Sequence, residues 1–431
     1  MNFNLMKNKN LSFLMFSKLI SLAGTQMQDF ALSLYVLKKT GSATLFASVL
    51  IVALIPQLLL SPIAGVFADW LDRIKIIIYL DVISSVLVSI FAAVYMVSGG
   101  LSMTAIYALV ITLTLASSLY QPAIGTIIPT IVDKENLVDA NGINSLVMNL
   151  GNLVAPLLAG ILFGFYGLFA ILLINAVSFL LSAIVEVFIN IPKINKMPAK
   201  ISFKAFNEDF KEGIQFVKER QLLLYIIILA PILNFVFSPL FSTGITFISK
   251  KLFKISDFQY GLMQMIIVSA MLVAPFVTSK YAKKLSLSKL IFFGFFICSM
   301  LIAMMAIIPS PLFLKLFKGN LVPFISLTVM SFLTALIITT ANIAISSMFQ
   351  KIVPVEMLGR VGTVMGTACM AIMPLGLIFF GILFDSMSAW LCVLICSIIL
   401  FVTILIFRKP LLNYTEAADK GVNPLEELEI I

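Results

Sequence analysis

The sequence predicts an all-α integral membrane protein with twelve transmembrane helices in two six-helix halves. Three observations lead to this fold class. Of the 431 residues, 61% are hydrophobic and only 11% are charged, whereas soluble domains are roughly half apolar and a quarter charged. Twelve apolar runs are long enough to cross a bilayer, and one long polar connection divides them six from six.

Each apolar run is near or above the roughly 20 residues that a helix needs to cross about 30 Å of hydrocarbon. Because a helix satisfies its own backbone hydrogen bonds in lipid, each run predicts one transmembrane helix. The runs cover residues 11–37, 43–68, 76–98, 102–128, 141–165, 168–190, 221–249, 258–279, 287–309, 321–348, 358–384 and 388–407. An even number of spans puts both termini on one side of the membrane.

Lysine and arginine are unevenly distributed between the connections. Most of them lie on the side of the two termini, including Arg73, Arg360 and the basic stretch 193–220. Cytoplasmic connections of membrane proteins are enriched in these residues. We therefore expect a multi-pass protein of the cell (cytoplasmic) membrane with both termini in the cytoplasm.

The long polar connection sets the predicted domain boundaries. These are an N-terminal six-helix bundle (1–190), a cytoplasmic linker (191–220), a C-terminal six-helix bundle (221–408) and a cytoplasmic tail (409–431). Apolar residues recur at helical spacing in the linker and predict an amphipathic helix on the membrane surface: Phe203, Phe206, Phe210, Ile214 and Val217.

An internal repeat supports two related halves. A shift of 221 residues places "IVDKENL" on "IVPVEML" and "GILFG" on "GILFD". Repeats of this length indicate duplicated structural units. Parallel six-helix repeats are typical of transporters that bind their substrate near the bilayer midplane.

The connection between spans two and three reads "GVFADWLDRIK". It resembles the loop signature of the major facilitator superfamily at Gly65, Asp69, Arg73 and Lys75, and departs from it at Trp70. Gly65 permits close helix packing, and Asp69 can bond to helix-terminal N–H groups or pair with Arg73 one turn later. The resemblance implies a latch that closes the cytoplasmic side; the alternative is that these charges only mark a cytoplasmic turn.

The entry to span eleven, "VEMLGRVG", resembles the matching loop of the second half. Its Glu356, Gly359 and Arg360, with Glu135 at the repeat-related position, complete the predicted cytoplasmic gate. The positive end of the following helix would face Asp69.

Span five contains "GNLVAPLLAG". It resembles the antiporter signature of superfamily exporters at Gly151, Pro156 and Gly160, with Ala155 in place of a glycine. Small residues four apart allow helices to approach closely, and the proline bends the helix. The resemblance favours export over uptake, while ordinary small-residue packing is the alternative.

The segments "KKTGSA", "YQPA", "IPTIVDKENL" and "EMLGRV" resemble the macrolide-efflux and siderophore-exporter branch of the superfamily. This resemblance implies proton-coupled export of hydrophobic or amphipathic small molecules, such as macrolide-like drugs, by antiport and alternating access. A metabolite, siderophore or lipid exporter, or a symporter of the same fold, remains the alternative. A non-transporting receptor or scaffold is a third hypothesis.

Asp29 is a carboxylate within the first apolar run. With Thr25 it lies on a polar stripe of span one, and Gln26 flanks that stripe. An intramembrane acid needs a partner, a watery cavity or a proton. We predict that Asp29 faces the central cavity as the proton-coupling acid, while a hydrogen bond across helices or from Gln26 is the structural alternative. Lys18 is about 16 Å away by helical rise, too far for a direct pair, and is predicted to snorkel towards the cytoplasm.

Other polar residues inside the spans are weaker candidates for the cavity. They are Gln121, Asn152, Asn234 and Asn342. The acids Asp81, Glu186 and Asp385 lie near the ends of spans, where structural roles are expected.

The composition also excludes several classes of function. Histidine is absent, the four cysteines form no CxxC pair, and no GxxxxGK[ST] loop occurs, so we expect neither an enzyme nor a metal protein. We expect no cofactor, with the proton gradient as the energy source. The expected partners are a small-molecule substrate and the lipid bilayer, without nucleic acid, and the expected state is a monomer.

Overall fold

The computed structural model describes residues 3–70, 73–133, 136–190, 203–282, 285–317, 319–354 and 357–412. Within these ranges the regular secondary structure is helical. All twelve predicted spans coincide with helices, and the predicted fold class is confirmed.

The described part of the first half contains five α-helices, the first of which has clear signals at both ends. They are α1 (Lys9–Thr40), α2 (Ala43–Trp70), α3 (Arg73–Ser98), α4 (Met103–Ile131) and α5 (Leu137–Glu186). The Asn8 side chain accepts hydrogen bonds from the first turn of α1, and Gly41 ends that helix at φ 65°, a left-handed conformation that glycine adopts without strain.

Helix α5 contains both the fifth and the sixth predicted spans, on either side of Gly167. Its apolar stretch of 41 residues is about 60 Å long at helical rise, twice the hydrocarbon thickness. Gly167 interrupts it with φ 73° and ψ −170°. The chain therefore reverses at a single glycine between the predicted spans 141–165 and 168–190.

The second half begins with α6 (Phe203–Lys218) and α7 (Gln221–Pro239). Two π-helical stretches, Leu240–Gly244 and Ile248–Leu252, extend α7. The later helices are α8 (Asp257–Ala282), α9 (Leu287–Ile307), α10 (Pro311–Leu316), α11 (Leu321–Ile352), α12 (Leu358–Ser386) and α13 (Ala389–Ile406). In the described ranges, nine helices are apolar and long enough to cross a membrane; α5 supplies two spans, and α1 and α2 complete the set of twelve.

The chain forms two compact units. The first comprises Met1–Gly41, Val49–Phe203 and Ser256–Met265, and the second comprises Ser42–Ser48, Lys204–Ile255 and Ile266–Ile431. In the first unit, α5 packs along α1 and α3, and α3 also packs on α4. In the second unit, α9 packs on α11 and α13, while α7 packs on α12.

The predicted amphipathic linker helix forms as α6, but part of its apolar face packs on protein. Val217 is buried against Leu223, Val353 and Val361. A Cβ added at Gly213 would lie 2.9 Å from the Arg360 carbonyl oxygen. This end of the helix is therefore seated on the second unit's own helices rather than on lipid.

Candidate functional site

The described part of the first unit contains a cavity of about 220 Å³. Helices α1 to α4 line it, together with Phe179 of α5. Its apolar lining includes Leu22, Leu32 and Val49. Its polar lining is concentrated on α1 and consists of Lys18, Ser21, Thr25, Gln28, Asp29, Ser33, Asp81, Ser84, Thr114, Ser117 and Tyr120.

Asp29 lies on the wall of this cavity and is exposed to it. Thr25 and Ser33, one turn to either side, line the same wall. Their hydroxyl groups donate to the carbonyl oxygens of Ser21 and Asp29, each at 2.8 Å. Among the described residues, the Asp29 carboxylate has no hydrogen-bond or ion-pair partner. It is therefore available to a proton or a ligand in the cavity.

Gln26 and Asn152 connect α1 to α5 instead of lining the cavity. The Gln26 side-chain amide donates to Asn152 Oδ1. Gln28, which sequence reasoning missed, lines the cavity and accepts a hydrogen bond from Asn175 Nδ2 at 2.8 Å. Gln26 and Gln28 point in different directions because two helical residues differ by about 200° around the axis. The alternative in which Gln26 binds Asp29 is not what the structure shows.

Lys18 is buried in the first unit, with 3% of its surface exposed. Its Nζ donates to Asn144 Oδ1 at 2.8 Å. The prediction that it snorkels towards water was wrong, because the amide oxygen of Asn144 on α5 accepts a hydrogen bond from it inside the bundle.

Two of the acids that were expected near an interface are also buried. Asp81 is 3% exposed and Glu186 is fully buried. The Tyr120 hydroxyl donates to Glu186 Oε1 at 3.0 Å, and both Asp81 and Tyr120 line the cavity. The sequence signal that could have identified them is their placement within the apolar runs of spans three, four and six.

Asp385 has a different, structural environment in the second unit. It accepts hydrogen bonds from the Ser42 hydroxyl (2.6 Å) and from the backbone N–H groups of Ala43 (2.8 Å) and Thr44 (2.9 Å). A carboxylate at this position satisfies the free donors of a helix start and complements its dipole. Asp385 thus caps α2.

The remaining cavity candidates do not gather at the cavity of the first unit. In the second unit, Asn234 donates to its own helix at the Ala230 carbonyl oxygen (2.9 Å), and Asn342 is exposed on α11. Gln121 belongs to α4, and its side chain lies outside the described residues.

The predicted gate residues are described only in part. Gly65 and Asp69 lie in the last turns of α2 and Arg73 begins α3, with side chains outside the described residues; Glu135 and Glu356 also lie outside them. Lys75 is exposed. A Cβ at Gly359, at the start of α12, would meet no atom of the described residues within 4 Å. Arg360 forms an ion pair with Glu212 of α6 at 2.7 Å.

The small residues of the predicted antiporter helix make close helix contacts. A Cβ on Gly151 would lie 2.8 Å from Leu22 of α1, and Ala155 is fully buried. A Cβ on Gly160 would lie 2.5 Å from the Asp257 carbonyl oxygen, and one on Gly261 equally close to the Pro156 carbonyl oxygen. The first unit therefore packs α5 on the start of α8 with glycine on both sides.

An ion pair between Lys38 of α1 and Asp257 of α8 also lies in the first unit. Their Nζ and Oδ2 atoms are 2.6 Å apart, and Asp257 is 8% exposed. The ammonium group also lies 4.7 Å from the ring centre of Phe163. This ion pair holds the first turn of α8 against α1.

The helical bundle with its polar cavity defines a class, the multi-pass membrane transporters of the major facilitator fold. A crystal structure of a bacterial homologue of the iron transporter ferroportin in the inward-facing state has a TM-score of 0.70 at 16% identity, covering 91% of this chain and 98% of that chain. The nucleoside transporter NupG has a TM-score of 0.69 at 14% identity, covering 93% and 98%.

The chain belongs to the transmembrane secretion effector family, whose model matches residues 2–430. It is 23% identical over 376 residues to "Macrolide efflux protein A" of Streptococcus pyogenes, covering 86% of this chain and 88% of that protein. The protein of the same name from Enterococcus faecalis is 22% identical, covering 78% of this chain and all of the relative. The chain is a membrane transporter of the efflux type, and the predicted superfamily is confirmed.

Proposed function

We propose that this transporter exports hydrophobic or amphipathic small molecules in exchange for protons. The observation that carries the proposal is the Asp29 carboxylate, which lies on a membrane-spanning helix, faces the polar cavity and has no partner among the described residues. Ionisable residues inside membrane spans characteristically mark substrate and proton pathways.

Asp29 provides a simple exchange mechanism. In its ionised form it attracts a cationic or hydrogen-bonding group of the substrate. When it takes up a proton from the outer side it becomes neutral, and the attraction to the substrate is lost. Proton binding and substrate release are then coupled, because both depend on the charge of one side chain.

The substrate class is supported by the two relatives described above, which are both named macrolide efflux protein. The cavity contributes an apolar wall from Leu22, Leu32 and Val49 beside its acid. Its volume of about 220 Å³ is below the roughly 300–1,000 Å³ typical of sites for drug-sized ligands. This wall would therefore bind only part of a macrolide.

Alternating access would supply the rest of the cycle. In this scheme the bundles 1–190 and 221–408 rock about the site, and Asp69, Arg73 and the start of α12 act as the cytoplasmic gate. The resemblance of these loops to superfamily signatures supports this role.

Export of a smaller, polar metabolite is a second candidate. The modest volume of the cavity and its many hydroxyl and amide groups favour it. The same acid and the same proton exchange would serve either substrate.

Purified protein in liposomes provides the test. With an imposed proton gradient, we expect accumulation of radiolabelled erythromycin, accompanied by opposite proton movement that a pH-sensitive dye records. Accumulation that follows a sodium gradient and ignores the proton gradient would refute proton antiport. Transport of small polar solutes without erythromycin would favour the second candidate.

A further inference from the structure

Asp81 and Glu186 form a buried pair of carboxylates that the proposed function does not use. Asp81 lies on α3 and Glu186 is the last residue of α5. The two helices pack against each other here, because Ser85, one turn after Asp81, donates to the Ala176 carbonyl oxygen of α5 at 2.7 Å. The Ser182 hydroxyl, one turn before Glu186, is 3.5 Å from Glu186 Oε1.

Two carboxylate oxygens of the pair have no hydrogen-bond donor among the described residues. Tyr120 and Ser182 serve Glu186 Oε1, whereas Glu186 Oε2 and Asp81 Oδ2 are buried without a partner among the described residues. A buried acceptor left unpaired is costly, more so when it carries charge. Two carboxylates that share a buried site do not both ionise, since like charges repel strongly in a low dielectric. A proton bound to the pair removes one charge and adds one donor.

The charged and titratable groups around the pair do not supply a hydrogen bond to its two unpartnered carboxylate oxygens. From α1, Lys18 gives a hydrogen bond to Asn144 of α5, and Asp29 is about 16 Å further along the helix axis by helical rise. From α4, Tyr120 contributes its neutral hydroxyl to Glu186. Tyr120 also belongs to an apolar cluster that covers the region near the start of α1: Leu11, Leu14, Met15, Ile77, Ile124, Ile127, Ile128, Ala140, Ile143, Val147 and Ile189.

The two acids differ in their access to the cavity. Asp81 and Tyr120 line it, whereas Glu186 does not. A proton in the cavity can therefore reach Asp81 first, and Ser182 and Tyr120 connect that site to Glu186.

We propose that Asp81 and Glu186 form a proton-binding pair, separate from Asp29, that takes a proton from the cavity through Asp81 and shares it with Glu186. Only an O–H bond is formed, on a carboxylate oxygen, and the proton comes from cavity water. This inference rests on the proposed antiport. It assigns the coupling proton a second binding site in addition to Asp29, the acid that faces the substrate.

The first experiment requires no substrate. Infrared difference spectra of the purified protein between mildly acidic and mildly alkaline pH report the carbonyl stretch of protonated carboxylic acids. We expect one component of this band to be present in the wild type and to persist in Asp29→Asn. The same component should be lost in Asp81→Asn and in Glu186→Gln, in which Asp29 remains. In Tyr120→Phe, which keeps the ring but removes the donor to Glu186, the band should shift. A band that is lost only in Asp29→Asn would overturn the pair.

The second experiment separates coupling from substrate binding. In liposomes, we expect Asp81→Asn to lower proton-driven erythromycin transport on the order of 5- to 150-fold, the usual range of a coupling free energy between two sites. Glu186→Gln, at a residue that does not line the cavity, should lower it in the same way. In this variant, exchange of labelled for unlabelled erythromycin at equal pH should persist, which shows that it is folded and binds substrate. Asp81→Glu should restore proton-driven transport.

The outcomes distinguish the pair from the proposed function itself. Wild-type protein without proton-driven transport would refute antiport, whatever the infrared result. Proton-driven wild-type transport that Asp81→Asn and Glu186→Gln leave unchanged would refute the pair and leave Asp29 as the coupling acid. A sodium gradient that replaces the proton gradient in the wild type would also refute the pair as a proton site.

Discussion

The interiors of the two units differ in charge. In the described part of the first unit, Lys18, Asp81, Glu186 and Asp257 are buried. In the second unit, the buried polar side chains that the structure describes are all serine and threonine. Many of these hydroxyls donate to their own helix, as Thr328 does to the Phe324 carbonyl oxygen at 2.7 Å.

A transporter needs a stably packed helical bundle and also charged groups that bind protons or substrate. The two units differ in which of these their buried polar residues can provide. A helix-bonded hydroxyl is satisfied in place, so it adds little cost and carries no charge. A buried acid is costly in lipid and is retained where its charge is used. The proposed proton chemistry therefore draws on the first unit, while the second supplies neutral packing.

The comparison predicts the largest effect at Asp29. Asp29→Asn removes the charge that proton and substrate would compete for, so we expect proton-driven erythromycin transport to fall on the order of 5- to 150-fold. Asn234→Ala in the second unit, which loses only a bond to its own helix, should change transport little. Initial rates in liposomes provide the measurement. Equal losses in both variants would break the assignment of coupling to the first unit.

Close glycine contacts should matter equally in both units. Gly160→Ala places a methyl group 2.5 Å from the Asp257 carbonyl oxygen, and Gly376→Ala one 2.5 Å from that of Phe235. Overpacking of this kind typically costs about 1–3 kcal/mol. We expect thermal unfolding in detergent to occur at lower temperature in both variants.

Two glycines with room for a methyl group provide matched controls. Among the described residues, a Cβ at Gly164 would have its nearest contact at 3.5 Å, and one at Gly359 would have none within 4 Å. Alanine in a helix otherwise gains about 0.5–1 kcal/mol over glycine, so Gly164→Ala and Gly359→Ala should unfold at the same or a higher temperature. If the unfolding temperature fell as much in these controls, close helix contact would not be the cause of the destabilisation in Gly160→Ala and Gly376→Ala.

The ion pair of the first unit should have an intermediate effect. Lys38→Met removes a 2.6 Å contact to a buried carboxylate, although the Lys38 side chain is itself 48% exposed. We expect a loss of about 1–2 kcal/mol, between the values for exposed and buried pairs. Lys39→Met is the matched control, because it removes the same charge at the adjacent position. The Lys39 Nζ donates to the Leu101 carbonyl oxygen and not to a carboxylate. Equal unfolding temperatures for the two variants would contradict a specific ion pair.

The second unit's ion pair should have the smallest effect. Glu212 and Arg360 are 55% and 37% exposed, and exposed pairs contribute about 0.2–1 kcal/mol. A double-mutant cycle with Glu212→Ala and Arg360→Ala isolates that coupling in unfolding measurements. If this coupling free energy were as large as the destabilisation by Lys38→Met, the ion pairs of the two units would not differ in their contribution to stability.

Lipid made the fold predictable, because each span must be an uninterrupted apolar helix of known length. The periodicity of α1 likewise predicted a polar stripe that includes Asp29. It could not show which of Gln26 and Gln28 faces the cavity, since helix rotation is set by packing against α5. The meeting of Asp81, Tyr120 and Glu186 depends on three helices and has no local sequence signal. The small-residue pattern of span five predicts a close helix contact at Gly160. It does not identify the partner, Gly261, which lies 101 positions later.

The cap on α2 has a consequence for biosynthesis. Asp385 binds the backbone of Thr44 across 341 positions of sequence. At a synthesis rate of about 5–20 residues per second, the carboxylate is made roughly 20–70 s after the helix start that it completes. Until then the first turn of α2 must satisfy its N–H groups in another way. Nascent chains halted before residue 385 should therefore leave this turn open to hydrogen exchange, long after the rest of the helix has been inserted.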